Sequence, residues 1–332
     1  MKNFYKFLFL LFLIFLLSSN SAQPGVWNAG GSGSFTLLYP EDTVAYKKIQ
    51  MKSEDIFIQL YKGFATVKGN YYFKNTGKDT LKIKVGYPIN NVFENINYNE
   101  YVNQVSVDGL YKIKGLLNSK EIPIYEKPNN QNSNWYVWEI TFPPNKITEF
   151  TVYFLVNTNN SKILEGYNSE NKNAFIYLIE TGSIWKSPIE KGNFYTQLKD
   201  HISIDNAKVS SPSTLFFDDD KSTLKFSLSD YGKKPDANFI ITYEEKLENF
   251  DFKKITEKSD FYFKEMDNFS NSNFNSFSFS EIEIPSAYKV GGIDNSAINF
   301  VFYLTIYGIP ILVGILALMI ILLLYKKLKP KK

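Results

Sequence analysis

An uncharged, mostly apolar run of 25 residues, from Val301 to Tyr325, constrains this chain most. A helix rises about 1.5 Å per residue, so a helical run of this length exceeds the roughly 30 Å hydrocarbon core of a bilayer. Tyr303 and Tyr307 lie where interfacial tyrosines anchor such helices, and membrane helices tolerate a proline such as Pro310. The sequence therefore predicts one C-terminal transmembrane helix over 301–325.

The two chain ends predict the orientation of that helix. Residues 1–22 contain a lysine-bearing start, an apolar run from Phe7 to Leu17 and small polar residues up to Ala22, the pattern of a signal peptide. Residues 326–332 include five lysines, which the positive-inside rule keeps in the cytoplasm. We therefore expect a single-pass type I protein of the cell membrane, with its N-terminus outside and its ectodomain extracytoplasmic.

Composition excludes several classes of site. The chain has no Cys and one His, and all 37 of its basic residues are lysines. It therefore has no disulfide framework, no thiol nucleophile and no site that needs two imidazoles. We expect no cofactor.

The net charge of +3 comes from the chain ends. Seven lysines lie in the signal and the tail, so residues 23–300 hold 30 lysines against 34 acidic residues and carry about −4. The basic ends match targeting signals, so we expect no nucleic-acid partner.

Period-two alternation dominates from about residue 35 to 245. Ile56, Ile58 and Leu60 alternate with other residues, which indicates a strand. The next two alternating runs flank a turn at 75–78 and predict a hairpin with one apolar face per strand. Asp108-Gly109 predicts a second hairpin. The fold expected is mainly β, an antiparallel β-sandwich ectodomain that is one large or two small domains.

The predicted organisation has six parts. The boundaries are 1–22 signal peptide, 23–157 β-sandwich domain, 158–245 second β-domain or continuation, 246–300 juxtamembrane stalk, 301–325 transmembrane helix and 326–332 basic cytoplasmic tail. Within the stalk, residues 247–267 also fit a short amphipathic helix, and the following phenylalanines fit an extra strand or contact with lipid headgroups.

Candidate chemistry is sparse, and we expect no catalytic residue and no enzyme activity. The residues Asp218, Asp219 and Asp220 form a weak candidate for a Ca²⁺ site, although a solvated hairpin turn explains them as well. The single His201 is expected on a surface strand, because no G-x-S-x-G elbow accompanies it.

Three tryptophans are candidate contacts for a partner or ligand: Trp135, Trp138 and Trp185. At period two Trp135 and Trp138 point to opposite faces of a strand, so we expect one in the core and the other near the surface.

Several segments resemble a group of bacterial exported, membrane-anchored proteins that contain domains of unknown function. The resemblance covers about residues 45–245. The matching residues are Met51, Ser53, Glu54, Tyr71, Phe73, Asn75, Gly86, Tyr87 and Pro88, followed by the segments WEITFPPNKITEFTVYF and FIYLIETGSIWKSPI. The opening is also similar to vault/inter-α-trypsin-type interaction domains. The resemblance implies an envelope-anchored β-domain and brings no catalytic residues with it.

Three functions fit these observations. The first is a non-enzymatic surface protein whose β-domain binds a protein or another envelope component. The second is a carbohydrate-binding module or a hydrolase that uses two carboxylates, with Glu180 and Asp205 among many candidates. The third is an accessory subunit of a membrane complex that acts through the 301–325 helix. Oligomeric state is open.

Overall fold

Strands predominate in the structure, and the expectation of a mainly β chain is confirmed. The computed structural model describes residues 25–27, 43–95, 103–108, 110–128, 134–165, 168–179, 185–186, 188–231, 238–287 and 300–328. The predicted signal peptide and basic tail lie wholly or mostly outside these residues. The described strands are β1 (Gly25–Trp27), β2 (Ile49–Tyr61), β3 (Phe64–Asn75), β4 (Leu81–Pro88), β5 (Asn90–Asn95), β6 (Asn103–Asp108), β7 (Leu110–Leu117), β8 (Lys120–Ile122), β9 (Tyr125–Pro128), β10 (Asn134–Phe142), β11 (Ile147–Asn157), β12 (Lys162–Glu165), β13 (Asn168–Glu170), β14 (Lys172–Tyr177), β15 (Lys191–Leu198), β16 (Lys208–Ser210), β17 (Phe216–Asp218), β18 (Thr223–Ser229), β19 (Phe239–Glu245) and β20 (Ser280–Glu281). The described helices are α1 (Thr43–Tyr46), α2 (Phe252–Thr256), α3 (Ser259–Ser270) and α4 (Ile309–Leu328).

Nine strands form a central sheet in the order β20-β17-β18-β15-β2-β3-β11-β7-β8. Three further sheets have three strands each; we call two of them, β4-β10-β9 and β14-β19-β16, the β10 sheet and the β19 sheet. Strands from both predicted β-domains therefore lie in the central sheet. Its β2–β15 pair is parallel, with Ile56 opposite Phe194. The central sheet is therefore mixed, which corrects the expectation of an antiparallel sheet.

The predicted hairpin around residues 75–78 does not form. Strand β3 pairs with β2 and β11, whereas β4 pairs with β10 in another sheet. Asn75 is fully buried; its Nδ2 donates to the carbonyl oxygens of Asp79 and Phe142, both at 2.8 Å, and its Oδ1 accepts from the Gly77 amide at 2.8 Å. This side chain closes a turn that carries the chain from one sheet to the next.

The predicted hairpin at Asp108-Gly109 is also absent from the described strand pairs. Gly109 itself lies outside the described residues, but β6 pairs with β5 while β7 pairs with β11 and β8. The local Asp-Gly signal is overridden here because β7 completes the central sheet instead.

The second half of strand β2 is buried on both faces, although the alternation of Ile56, Ile58 and Leu60 indicates a strand with one apolar face. Ile56 and Ile58 point into a core cluster that includes residues of the central, β10 and β19 sheets. Phe57 and Tyr61 point the other way, into a second cluster that includes residues of α2 and α3. A strand covered on both faces reads as a nearly continuous apolar run, as residues 56–61 do.

Part of the predicted stalk packs against the central sheet. The amphipathic helix expected near residues 247–267 corresponds to α2 and α3, and Phe263, Met266 and Phe269 of α3 are buried against the sheet. Each such side chain contributes roughly 1.5–3 kcal/mol through removal from water. Residues 252–281 are therefore part of the folded β unit and not a stalk, because their phenylalanines bury apolar area; residues 288–299 lie outside the described part.

The C-terminal apolar run is helical. Residues Phe300–Ile320 form a helix long and apolar enough to cross a membrane. A π-helical turn, Leu304–Gly308, precedes Pro310, and the Ile309 amide donates to the Leu304 carbonyl oxygen. Because proline lacks an amide hydrogen and crowds the preceding turn, a wider turn at this point relieves the clash.

Candidate functional site

A step at the edge of the β10 sheet forms a surface pocket. Strand β9 pairs with β10 only from Asn134 to Val137, where Tyr125 ends the pairing. Strand β10 continues to Phe142 and stays paired with β4 on its other side. We call the step where β9 ends and β10 continues the β9 notch.

The β9 notch contains a pocket of about 610 Å³, within the range of known ligand sites. Its lining residues are Lys84, Ile122, Pro123, Tyr125, Glu126, Val137, Trp138 and Glu139. Five of these residues are apolar or aromatic and three are charged. Tyr125 is the most prominent, because 64% of its surface is exposed although it lies in a strand.

Cross-strand register explains the orientation of these side chains. Val137 is opposite Tyr125 and Glu139 is opposite Lys84, so each pair shares a face of the sheet. The Glu139 carboxylate forms an ion pair with Lys82 Nζ, at an N···O distance of 2.7 Å. Glu126 is exposed, and no ion pair to it occurs within the described residues.

The two carboxylates of the pocket do not form a catalytic pair. Glu126 lies opposite Tyr136, and Glu139 follows Tyr136 by three positions on the same strand. Side chains alternate between faces, so Glu126 and Glu139 point to opposite faces of the sheet. A hydrolase needs both carboxyl groups at one glycosidic bond.

A second polar cluster is buried in the core around Glu54. Tyr231 donates from its hydroxyl to Glu54 Oε1 at 2.5 Å, and Tyr177 donates to Glu54 Oε2 at 3.2 Å. The Tyr71 hydroxyl oxygen lies 2.9 Å from that of Tyr177 and 2.7 Å from that of Tyr87. The phenol groups of Tyr87, Tyr71 and Tyr177 thus form one hydrogen-bonded chain that ends on Glu54 Oε2, and Tyr231 bonds separately to Oε1.

Burial raises the pKa of Glu54 to about 7, although the hydrogen bonds from Tyr231 and Tyr177 act to lower it. Burial also raises the pKa of Tyr231 well above its ordinary value, and the negative charge of the Glu54 carboxyl group is the second largest cause of this rise. The Tyr231 hydroxyl group therefore keeps its proton. The cluster therefore holds one titratable proton near neutral pH inside the apolar core.

All three candidate tryptophans are buried. Trp138 is 2% exposed, and its ring centroid lies 5.2 Å from that of Phe150. Trp135 is 3% exposed, which corrects the expectation that one of this pair lies near the surface. Trp185 is 4% exposed, and its ring centroid lies 4.8 Å from those of Tyr46 and Phe73. Only Trp138 borders the pocket, so these rings serve mainly as core.

The three aspartates stand at a turn and do not converge. Asp218 is 2% exposed, and its carboxylate accepts from the Lys221 amide at 2.8 Å and from the Ser278 amide at 2.5 Å. Asp219 and Asp220 are exposed. Within the described residues, no group of three or more His, Cys, Asp or Glu side chains is placed to hold a metal ion.

The remaining candidates from the sequence are His201, Asp205 and Glu180. His201 is exposed in a turn with φ +55° and not in a strand, and Asp205 lies in a short 3₁₀ turn. Glu180 lies outside the described residues.

Sequence patterns alone do not single out Tyr125, Glu126 or the Glu54 cluster as sites. A signal for Glu54 existed, because it shares the parity of Ile56 and Ile58 and so belongs on their buried face.

No protein-family model matches the chain, and no curated protein matches it. Among solved structures, the chain is similar to a "putative nutrient binding protein" of Legionella pneumophila, at 15% identity and a TM-score of 0.47, over 77% of this chain and 78% of that one. It is also similar to yeast LTA4 hydrolase, native and in complex with bestatin. Those two matches have 8% and 9% identity and TM-scores of 0.33 and 0.35, over 60% and 59% of this chain, which spans only 29% of the hydrolase. Every one of these similarities lies below 25% identity and a TM-score of 0.5, so none supports a statement about function.

Proposed function

We propose that the chain is a single-pass, membrane-anchored extracytoplasmic protein whose β-domain binds a protein or another envelope component at the β9 notch, without catalysis. In this proposal the Phe300–Ile320 helix is the anchor, and the β10 and β19 sheets cover one face of the central sheet as a sandwich.

The geometry of the β9 notch is the main support for this proposal. It combines a pocket of about 610 Å³ with an exposed tyrosine and a sheet edge that ends early. Tyrosine is enriched at binding sites because it offers a large rigid ring and a polar hydroxyl group. The opposed faces of Glu126 and Glu139 favour binding over hydrolysis at this place.

A photo-crosslinking amino acid at position 125 tests the proposal in cells that express the full chain from its own promoter. We expect one dominant crosslinked product. The matched control is the same amino acid at Phe261, which is 59% exposed and lies on α3, away from the pocket lining. Equal products from both positions, or none from position 125, would count against a binding role for the notch.

A carbohydrate ligand is the alternative occupant of the same site. The exposed ring of Tyr125 favours it, since sugars stack on aromatic faces beside hydrogen-bonding carboxylates. A glycan array probed with the detergent-solubilised full chain decides between the two, because binding that Tyr125→Ala abolishes would establish the alternative. If no glycan on the array is bound, the carbohydrate alternative is excluded and protein binding remains the proposal.

A role as accessory subunit is tested through the helix. Replacing residues 301–325 by an unrelated apolar helix of equal length keeps an anchor but removes its specific contacts. We expect the position-125 crosslink to persist, whereas its loss would favour the accessory-subunit function.

A further inference from the structure

We propose that the β9 notch binds an extended peptide segment, which adds to β10 as a strand in line with β9 and places a basic side chain beside Glu126. This inference rests on the proposed binding function and names the class of partner.

The backbone of β10 offers the docking edge. Strand β9 accompanies β10 through Val137, but β10 remains extended to Phe142. Beside Glu139–Thr141, on the side away from β4, the described strand pairs contain no further strand. Backbone N–H and C=O groups alternate between the two edges of a strand, so at least one of these residues presents both groups to that side.

Pro123 explains why β9 stops where it does. It lies between β8 and β9 and lines the pocket together with Ile122. Proline has no amide hydrogen and cannot continue a ladder, so the chain leaves the edge at this point. The pocket begins where β9 ends, since Tyr125 of β9 and the β10 residues Trp138 and Glu139 all line it.

The side chains that line the pocket indicate which side chains the bound peptide should have. Tyr125 is 64% exposed and adjoins Ile122 and Val137, so one face of the pocket suits an apolar side chain. Glu139 is already paired with Lys82, whereas Glu126 has no ion pair within the described residues. A lysine or arginine of the peptide would complement Glu126. Strand addition supplies affinity through the backbone and specificity through alternate side chains.

Fluorescein-labelled octapeptides of alternating valine and lysine test the inference with the full chain in lipid nanodiscs. We expect saturable binding by fluorescence polarisation and slower hydrogen exchange of residues 138–142. N-methylation of alternate backbone amides removes the donors but keeps the side chains, and we expect it to weaken binding about tenfold. Replacing lysine by glutamate in the peptide should also weaken binding about tenfold, because it meets Glu126 with like charge.

Variants of the protein separate the contributions. We expect Tyr125→Ala and Glu126→Lys each to weaken binding of the valine–lysine peptide at least fivefold, with Phe261→Ala unchanged as the control for an exposed aromatic ring. Absence of binding, or equal binding of the N-methylated peptide, would overturn strand addition. The position-125 crosslink would be unaffected by that result, so the two failures are distinguishable.

Discussion

The Tyr231 hydroxyl donates a 2.5 Å hydrogen bond to the Glu54 carboxyl group, and the two residues are 177 positions apart in the chain. Glu54 is 2% exposed and lies on the central strand β2. The bond therefore joins the middle of the central sheet to the segment that follows β18. Because Glu54 is buried in this way only in the folded protein, its titration can be followed through the pH dependence of stability.

Stability should fall as pH rises from about 4.5 to about 7. The pKa of Glu54 is about 7 in the folded protein against 4.5 for an ordinary glutamate, because burial disfavours its charged form. Within this window the folded protein keeps a proton that the unfolded chain releases, so the stabilisation is complete below pH 4.5 and is lost above pH 7. The expected loss is roughly 3 kcal/mol, measured by urea unfolding across the pH range.

Glu54→Gln should remove that part of the pH dependence, because the amide does not titrate. The control is Glu121→Gln, whose side chain is 69% exposed and paired only loosely, at 3.9 Å, with Lys114. Parallel pH profiles for the parent and the Glu54→Gln protein would show that Glu54 does not hold the proton.

Tyr231→Phe should destabilise the fold by about 1–2 kcal/mol at pH 8, because a buried carboxylate loses one of its two donors. It should also move the pH transition upward, since the Tyr231 hydrogen bond lowers the pKa of Glu54. Tyr125→Phe, at an exposed hydroxyl group, is the comparison. An unchanged transition in Tyr231→Phe would contradict the hydrogen-bond assignment.

Gly69→Ala should disturb the tyrosine chain. A Cβ atom at residue 69 would lie 2.6 Å from the Tyr71 hydroxyl oxygen, which is fully buried and cannot move away freely. We expect a loss of about 1–3 kcal/mol in thermal or urea unfolding. Gly314→Ala is the control, since nothing lies within 4 Å of its added methyl group. Equal stabilities would show that the core accommodates the methyl group.

Asp267→Ala should loosen α3 from the central sheet. Its Oδ1 accepts from Tyr153 Oη at 2.6 Å and from Lys68 Nζ at 2.8 Å, and the Lys68 side chain is only 11% exposed. Removing the carboxylate leaves a mostly buried ammonium group without its counter-ion, at a cost of about 1–3 kcal/mol. Hydrogen exchange across residues 259–270 should accelerate.

The control for that variant is Asp260→Ala on the same helix, because Asp260 is exposed and lies in the first turn. Equal exchange in both variants would show that the apolar face alone holds α3.

Local pattern predicted the strands well but not their partners. The alternation of Ile56, Ile58 and Leu60 predicts β2, and the structure has β2 over Ile49–Tyr61. Proximity in sequence favours pairing of neighbouring strands, so the local pattern predicts a hairpin at Asn75. The buried amide of Asn75 redirects the chain by bonding to Phe142, which is 67 positions away, and no local pattern contains that contact.

The β9 notch could not be predicted for a similar reason. It exists because β9 pairs with only four residues of the longer β10, a relationship of register between separate segments. The burial of the tryptophans depends on contacts between distant segments, such as those of Trp185 with Tyr46 and Phe73, whereas strand periodicity indicates only which residues share a face. The sequence contains more information on Glu54, because its parity with Ile56 indicates a side chain on the buried face.

The parallel pairing of β2 with β15 has a kinetic consequence. Gln59 and Gln197 bond across this pair from positions 138 residues apart, so the middle of the central sheet closes late during synthesis. Until β15 emerges, one edge of β2 is an unpaired apolar template for other chains. Such non-local pairing slows folding, which lengthens the time for which this edge of β2 is exposed.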